Sequence, residues 1–258
     1  MRVKIVKICP RPLTMLAAIA QVRQAASAMS APPLLLLLLC TVLLIGGAEA
    51  ADYRPQPFSA RYSVHLNGFK VGELQRSLHV EADGRHVLEH VMETTGLVAL
   101  FKKDRLVERS TWTYADGHAW PAGYAAEYRG RAKDTTEQIA FDWPRHAAIY
   151  RRQDEVQEVA LTTGMMDKLM HQAMLCSDIA SGKETLDYTV LDRGEVKTYA
   201  YQLLGVEELV TARGRVNTIK VTRKTTTLWL APEWDYLLVQ LVQNNDDGTI
   251  ATYIQKQQ

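Results

Sequence analysis

Apolar and polar residues alternate along most of the chain, and turn residues cut the alternation at short intervals. Residues 58–66 (FSARYSVHL) carry the two-residue period of a half-buried strand and end at Asn67-Gly68, the strongest short hairpin signal. A second strand follows at 69–81 and ends at Asp83-Gly84, and a third runs over 86–95. Further strands are predicted at 105–114, 122–129, 137–142 and 147–152, separated by Asp116-Gly117, Gly130 and Trp143-Pro144. Short β-branched and aromatic runs spaced roughly 8–12 residues apart argue for an antiparallel sheet that curls or packs on itself.

One segment breaks the period. Residues 165–180 (MMDKLMHQAMLCSDIA) put Met166, Leu169, Met170, Ala173, Cys176 and Ala180 at three- and four-residue steps, the stripe of an amphipathic helix, with Gly182 as its stop. Strands resume at 184–191, 195–203, 217–224, 226–230, 236–243 and 249–255. Their turns are Asp192-Arg193-Gly194, Ala212-Arg213-Gly214 and Asp246-Asp247-Gly248. The pattern predicts a mainly β fold: one long curved antiparallel sheet, a half-barrel or open barrel, with one central amphipathic helix packed on it. No repeat, low-complexity tract or linker divides it, so one domain is expected.

The amino end reads differently. Residues 34–45 (LLLLLLCTVLLI) are twelve residues without charge, followed by Gly46-Gly47 and Ala48-Glu49-Ala50. That is the apolar core and small-x-small cleavage site of a secretory signal. A spanning helix needs roughly 20 apolar residues, and Pro32-Pro33 stops the run from extending backwards. Leu39 precedes Cys40 where a lipoprotein signal requires a small residue. Residues 1–50 are therefore read as leader and signal peptide, with cleavage near Ala50, and 51–258 as a single exported, periplasmic domain. The leader holds five of the 30 Lys and Arg and one of the 29 Asp and Glu, leaving 25 against 28 and a formal charge of −3. A weakly acidic domain with interspersed signs has no phosphate-binding stripe, which excludes nucleic acid as a partner. Cys9 and Cys40 leave with the leader, and Cys176 stays alone on the helical stripe, where a buried, inert thiol is expected.

Candidates for chemistry are few. His86 and His90 have the spacing of metal ligands on a helix, but in a strand they stand roughly 13 Å apart. Counting back from the Asp83-Gly84 turn puts Glu81 opposite His86, an ordinary cross-strand charge pair. Asp167 and His171 are four apart on the predicted helix, the spacing of a surface ion pair. The chain has no Gly-x-Ser-x-Gly elbow, dinucleotide fingerprint or phosphate loop, and Ser110 and Ser177 sit in no nucleophile context. Neither a catalytic constellation nor a cofactor or metal site is predicted.

What remains is apolar. All 20 aromatic residues lie beyond residue 50, and four of the eight methionines sit on the helical segment. They either pack together as a core or leave a cavity under the helix. The cavity reading names Met166, Leu169 and Met170 on the helix, and Trp229, Trp234 and Tyr236 in and beside the turn 231–235, as ligand-binding residues. Trp229 belongs inside a strand, mostly buried. Trp234, between Glu233 and Asp235, is either folded over the sheet end or presented at a cavity rim.

A set of short elements spans nearly all of the domain: Tyr62, Gly68, Val71-Gly72, Thr95-Gly96-Leu97, Pro121-x-x-Tyr124 and Asp167 at the helix start. Gly205-x-Glu207 with Thr211-x-x-Gly214, Trp229-x-Ala231-Pro232 and Asp247-Gly248 complete it. With these the chain resembles the exported bacterial family catalogued as domain of unknown function 3108. Leu238 stands where that family often has proline. The resemblance implies an exported, sheet-rich domain with no established activity and no catalytic residues to carry over. By analogy of element order it is similar to the lipoprotein-carrier type of half-barrel. Two functions stay open: a periplasmic, non-enzymatic carrier for a lipid or other amphipathic envelope ligand, or an assembly module that pairs with an envelope protein and holds no small molecule.

Overall fold

The computed structural model describes residues 53–101, 103–130, 134–246 and 250–257. The leader, the cleavage site near Ala50 and the Asp247-Gly248 turn lie outside the described residues. The strands are β1 (Phe58–Leu66), β2 (Phe69–Val80), β3 (His86–Thr94), β4 (Arg105–Ala115), β5 (His118–Arg129), β6 (Thr135–Asp142), β7 (Ala147–Arg152) and β8 (Glu155–Ala160). After them come β9 (Met166–Asp167), β10 (Leu186–Asp192), β11 (Glu195–Thr211), β12 (Gly214–Arg223), β13 (Thr226–Ala231), β14 (Leu237–Asn244) and β15 (Ile250–Gln257). The helices are α1 (Gly96–Phe101) and α2 (Met170–Ala180), with a 3₁₀ turn at Pro232–Trp234.

All fifteen strands form one sheet in the order β8-β7-β6-β5-β4-β3-β2-β1-β15-β14-β13-β12-β11-β10-β9. Two meanders therefore meet where β15 pairs with β1, with Val64 opposite Tyr253 and His65 opposite Thr252. Every pairing is antiparallel except β9 with β10. The sheet curls until its free ends approach: β9 packs near β5, and Gln157 on β8 donates to the Gly194 carbonyl at the β10–β11 turn, at 3.1 Å. Bulges at Arg61/Tyr62, Thr111/Trp112, Leu203/Gly205 and Trp229/Leu230 supply the bends. Pro121 sits opposite Trp112 at one of them, which lets β5 begin at His118 rather than after the proline. The strand β8 and the short α1 carry no clear period and were not expected. At Gly72 a Cβ would meet the Glu93 carbonyl oxygen at 2.6 Å, so only glycine lets β2 and β3 close there.

The helix differs from its expected form in two ways. It starts at Met170, because Met166 and Asp167 pair with Val190 and Leu191 as a strand. Asp167 Oδ1 then accepts the amides of Leu169 and Met170, both at 2.8 Å, which starts the first turn. Nor does α2 present one apolar stripe. Met170, His171, Ala173, Met174, Leu175 and Ile179 are buried, and they spread around most of the helix. The curled sheet surrounds it, so nearly every side meets protein. No helix among the described residues is long and apolar enough to cross a membrane.

Candidate functional site

Antiparallel register sets one row of side chains across the concave floor: Arg76 on β2 faces His90 on β3, which faces Glu108 on β4. Arg76 is an inward position between Leu74 and Leu78, and only 6% exposed. Its Nε donates to His90 Nε2 at 2.7 Å, and one terminal nitrogen donates to Gln172 Oε1 on α2 at 3.2 Å. A guanidinium can only donate, so His90 Nε2 is an unprotonated acceptor and the ring is neutral. Burial, then the charge of Arg76, holds its pKa well below the usual histidine range. Tyr62, pushed up to about 12 by burial, also lies against the guanidinium. Its hydroxyl donates to the Leu238 carbonyl at 2.8 Å.

The carboxylates of the floor are engaged elsewhere. Lys168 reaches Glu108 at 3.0 Å and Glu137 at 4.0 Å, and the Tyr124 hydroxyl donates to Glu108 at 2.8 Å. Glu108 stands two strands from Arg76, about 10 Å away by strand spacing. Among the described residues no carboxylate forms an ion pair with Arg76. The floor thus carries a paired acidic end and a cationic end with neutral neighbours only.

Arg76, Gln172 and Leu238 separate two spaces. On one side lies a chamber of ≈ 260 Å³ walled by Leu74, Met92, Leu106, Leu241 and Tyr253. Met92, Leu106 and Gln243 lie close to strand ends, so the chamber reaches the end of the barrel that carries the β1–β2 turn and α1. Large apolar side chains are exposed at that end: Phe69, Leu97, Leu100 and Phe101 are each at least 74% exposed. On the other side of Arg76 is a narrow cleft of ≈ 40 Å³ lined by Phe58, Cys176, Trp234 and Tyr236. The segment 53–57 crosses this end and covers the cleft. Tyr53 donates from its hydroxyl to the Asp235 carbonyl at 3.1 Å, stacks edge-on against Tyr236 at 5.6 Å, and accepts a hydrogen bond on its own carbonyl from Ser177.

The structure distributes the expected site residues. Trp234 and Tyr236 do meet in a cleft, but at the strapped end. Trp234 is half-buried with the Arg213 guanidinium 4.3 Å above its ring, and Tyr236 has a left-handed φ of 57°. Met166 lines a separate cavity of ≈ 300 Å³ with Trp120 and Trp143. Leu169 and Met170 are fully enclosed core residues at 1% and 0% exposure. Trp229 is buried on the opposite face of β13 from Leu228 and Leu230, under the Lys220 ammonium at 5.0 Å, and lines none of these cavities.

Two expected pairs are corrected. His86 does not face Glu81: it is opposite Val80 and Trp112, stacks on the Trp112 ring at 5.5 Å, and leaves Glu81 to Arg85 and Arg109. Asp167 and His171 form no surface pair, because both are buried and their side chains hydrogen-bond elsewhere. Asp167 takes the Ser110 hydroxyl at 2.7 Å, and His171 Nε2 meets the Tyr201 hydroxyl at 2.9 Å. Burial raises Asp167 to about 6 and lowers His171 to about 3. Cys176 is raised to about 11 by burial, so it is a neutral thiol. Arg76 was missed by reasoning from motifs. Its signal was positional: a lone charge at the centre of the alternating Leu74-x-Arg76-x-Leu78.

Sheet, enclosed helix and chamber together define a barrel-like β protein with a mostly apolar interior. The chain belongs to the family described as protein of unknown function, DUF3108, whose model matches residues 61–255. No curated protein matches the sequence. Among solved structures it is similar to a beta-barrel-like protein of domain of unknown function DUF1849 from Brucella abortus, with a TM-score of 0.52 and 8% identity over 80% of this chain and 98% of that one. At that identity the likeness is one of fold.

Proposed function

We propose that this protein is a non-enzymatic binding or carrier module, exported to the periplasm, that holds an apolar or amphipathic envelope molecule in the chamber above Arg76. The observation that carries the reading is a chamber with an apolar wall of Leu74, Met92, Leu106, Leu241 and Tyr253 and a polar floor, leading to an apolar mouth. A volume of ≈ 260 Å³ is near the lower end of the ~300–1,000 Å³ of small-molecule sites. Leu97 and Leu100, 79% and 76% exposed, stand at the end to which the chamber leads, where a ligand leaving a bilayer would arrive.

The test is native mass spectrometry and organic extraction of the full chain, purified after expression with its own leader. Bound lipid should be found, and Met92→Trp with Leu241→Trp, which fill the chamber, should strip it while the circular dichroism stays unchanged. Wild-type protein that carries no lipid and takes up none from vesicles would overturn the proposal. An assembly role is favoured by a different feature: Leu204, Val206 and Val210 on β11 are exposed at 53%, 74% and 79%. For that role, Val206→Asp with Val210→Asp should abolish recovery of an envelope protein with this chain and leave its lipid content untouched.

A further inference from the structure

Arg76 is a permanent cation placed where water cannot solvate it freely, and its contacts are the neutral His90, Gln172 and Tyr62. A guanidinium offers five N–H donors in a planar fork. Nε and one terminal N–H are engaged with His90 and Gln172, the Tyr62 hydroxyl lies within hydrogen-bond reach of the guanidinium, and the remaining donors belong to a side chain that lines the chamber itself. The row of charged residues does not complete it: Glu108 lines the same chamber, but Lys168 and the Tyr124 hydroxyl hold it, and no carboxylate among the described residues pairs with Arg76. Buried charges are ordinarily paired, since desolvation of a lone ion is costly. Here the partner that the surroundings omit has a defined position, at the polar inner wall of the chamber.

We infer that Arg76 is the headgroup site of the chamber, and that the ligand is a single-chain amphiphile with an acidic head, a carboxylate or a phosphate monoester. This rests on the carrier reading and adds the ligand's chemistry and orientation. The acid lies inward at the guanidinium fork, where two N–H···O bonds can form in parallel. The chain runs past Leu74, Met92 and Leu241 towards the mouth. From Arg76 to Phe69 at the end of β2 is seven residues, about 23 Å at the rise of a strand, which suits a long acyl chain. A zwitterionic headgroup would have to bring its second charge past Gln172, where the space narrows to the ≈ 40 Å³ cleft, and a second chain would have to share the ≈ 260 Å³ chamber with the first.

The experiment loads the full-length protein with a fluorescent polyene fatty acid and displaces it with palmitate, hexadecyl phosphate, hexadecanol, or acetate and inorganic phosphate alone. Palmitate and hexadecyl phosphate should displace the probe at concentrations at least tenfold below hexadecanol. Arg76→Met should bring all three within about twofold. Arg76→Lys, which keeps the charge and loses the fork, should fall between. The comparison of acid with alcohol on the unmutated protein needs no variant to fold. Equal displacement by palmitate and hexadecanol would overturn the headgroup assignment and leave the carrier reading standing. Displacement by acetate or phosphate at the concentration of palmitate would overturn it in favour of a small-anion site. Failure of the wild-type protein to bind the probe or hexadecanol at all would remove the carrier reading, and this inference with it.

Discussion

Asp167 and His171 are both buried within one turn of each other, and the fold moves their protonation in opposite directions. His171 is lowered from 6.5 to about 3, so below pH 6.5 the unfolded chain gains a proton that the folded chain refuses. Its stabilisation is complete above pH 6.5 and is lost as pH falls towards 3, by about 1.4 kcal/mol per pH unit inside that window. Asp167 is raised from 3.8 to about 6, so its folded form holds a proton more tightly. That contribution is complete below pH 3.8 and is lost as pH rises through 6. The two slopes oppose one another between pH 3.8 and 6. Asp167→Asn keeps the oxygen that caps α2 and removes one slope, so the melting temperature of this variant should fall more steeply from pH 6 to 4 than that of the wild type. Parallel profiles would sink the assignment. Nearby, Leu169→Asp should cost several kcal/mol by burying an unpaired charge. Met170→Leu, a near volume-conserving change in the same core, should cost less than about 1.5 kcal/mol. Thermal melts of the two decide whether α2 is docked as described. Trp234 lies at the strapped end, so Trp234→Ala should lower the melting temperature by a few degrees without releasing bound amphiphile. Loss of ligand with unchanged melting would instead put the entrance there.

At the scale of elements, β2 is the strand on which most depends. Its inward residues Leu74, Arg76 and Leu78 build the floor, and its Gly72 lets β3 approach. Gly72→Ala should destabilise by about 1–3 kcal/mol, because the new Cβ meets backbone that cannot swing away. Denaturant titration measures this, and an effect under about 0.5 kcal/mol would mean the two strands part easily. The short helix α1 has the opposite character, contributing no buried residue while exposing Leu97 and Leu100. Leu97→Asp with Leu100→Asp should therefore leave the melting temperature unchanged and slow the uptake of a fluorescent fatty acid from anionic vesicles. Unchanged uptake would show that the apolar mouth plays no part in loading.

At the scale of the molecule, β15 joins the two meanders by pairing with both β1 and β14. It supplies the continuous backbone pairing between the first eight strands and the last seven, which otherwise meet through side-chain contacts such as Gln157 with Gly194 and Ser110 with Asp167. Removing 250–258 would leave two sheet edges unpaired along the wall of the chamber, and the protein should lose its cooperative melt rather than shift it.

The arrangement of turns and periods was enough to specify a curled antiparallel sheet around one helix. Hairpin signals such as Asn67-Gly68 and the alternation of 58–66 are local, and the backbone obeys them wherever the strand ends up. The site was not legible in that way. Arg76, His90 and Glu108 are separated by 14 and 18 residues, and only the register of three strands puts them in one row. Trp234 and Tyr236 had the composition of a wet rim, but the strap 53–57 covers their cleft, which is far narrower than the chamber on the other side of Arg76. The helix stripe was visible in sequence, whereas its enclosure was not, because burial on every side depends on the sheet closing around it. Sequence by itself determined which elements form, since propensity and turn chemistry act over a few residues. The tertiary structure alone decided where the chamber lies and which buried charge has no carboxylate beside it among the described residues, since both depend on contacts between strands distant in the chain.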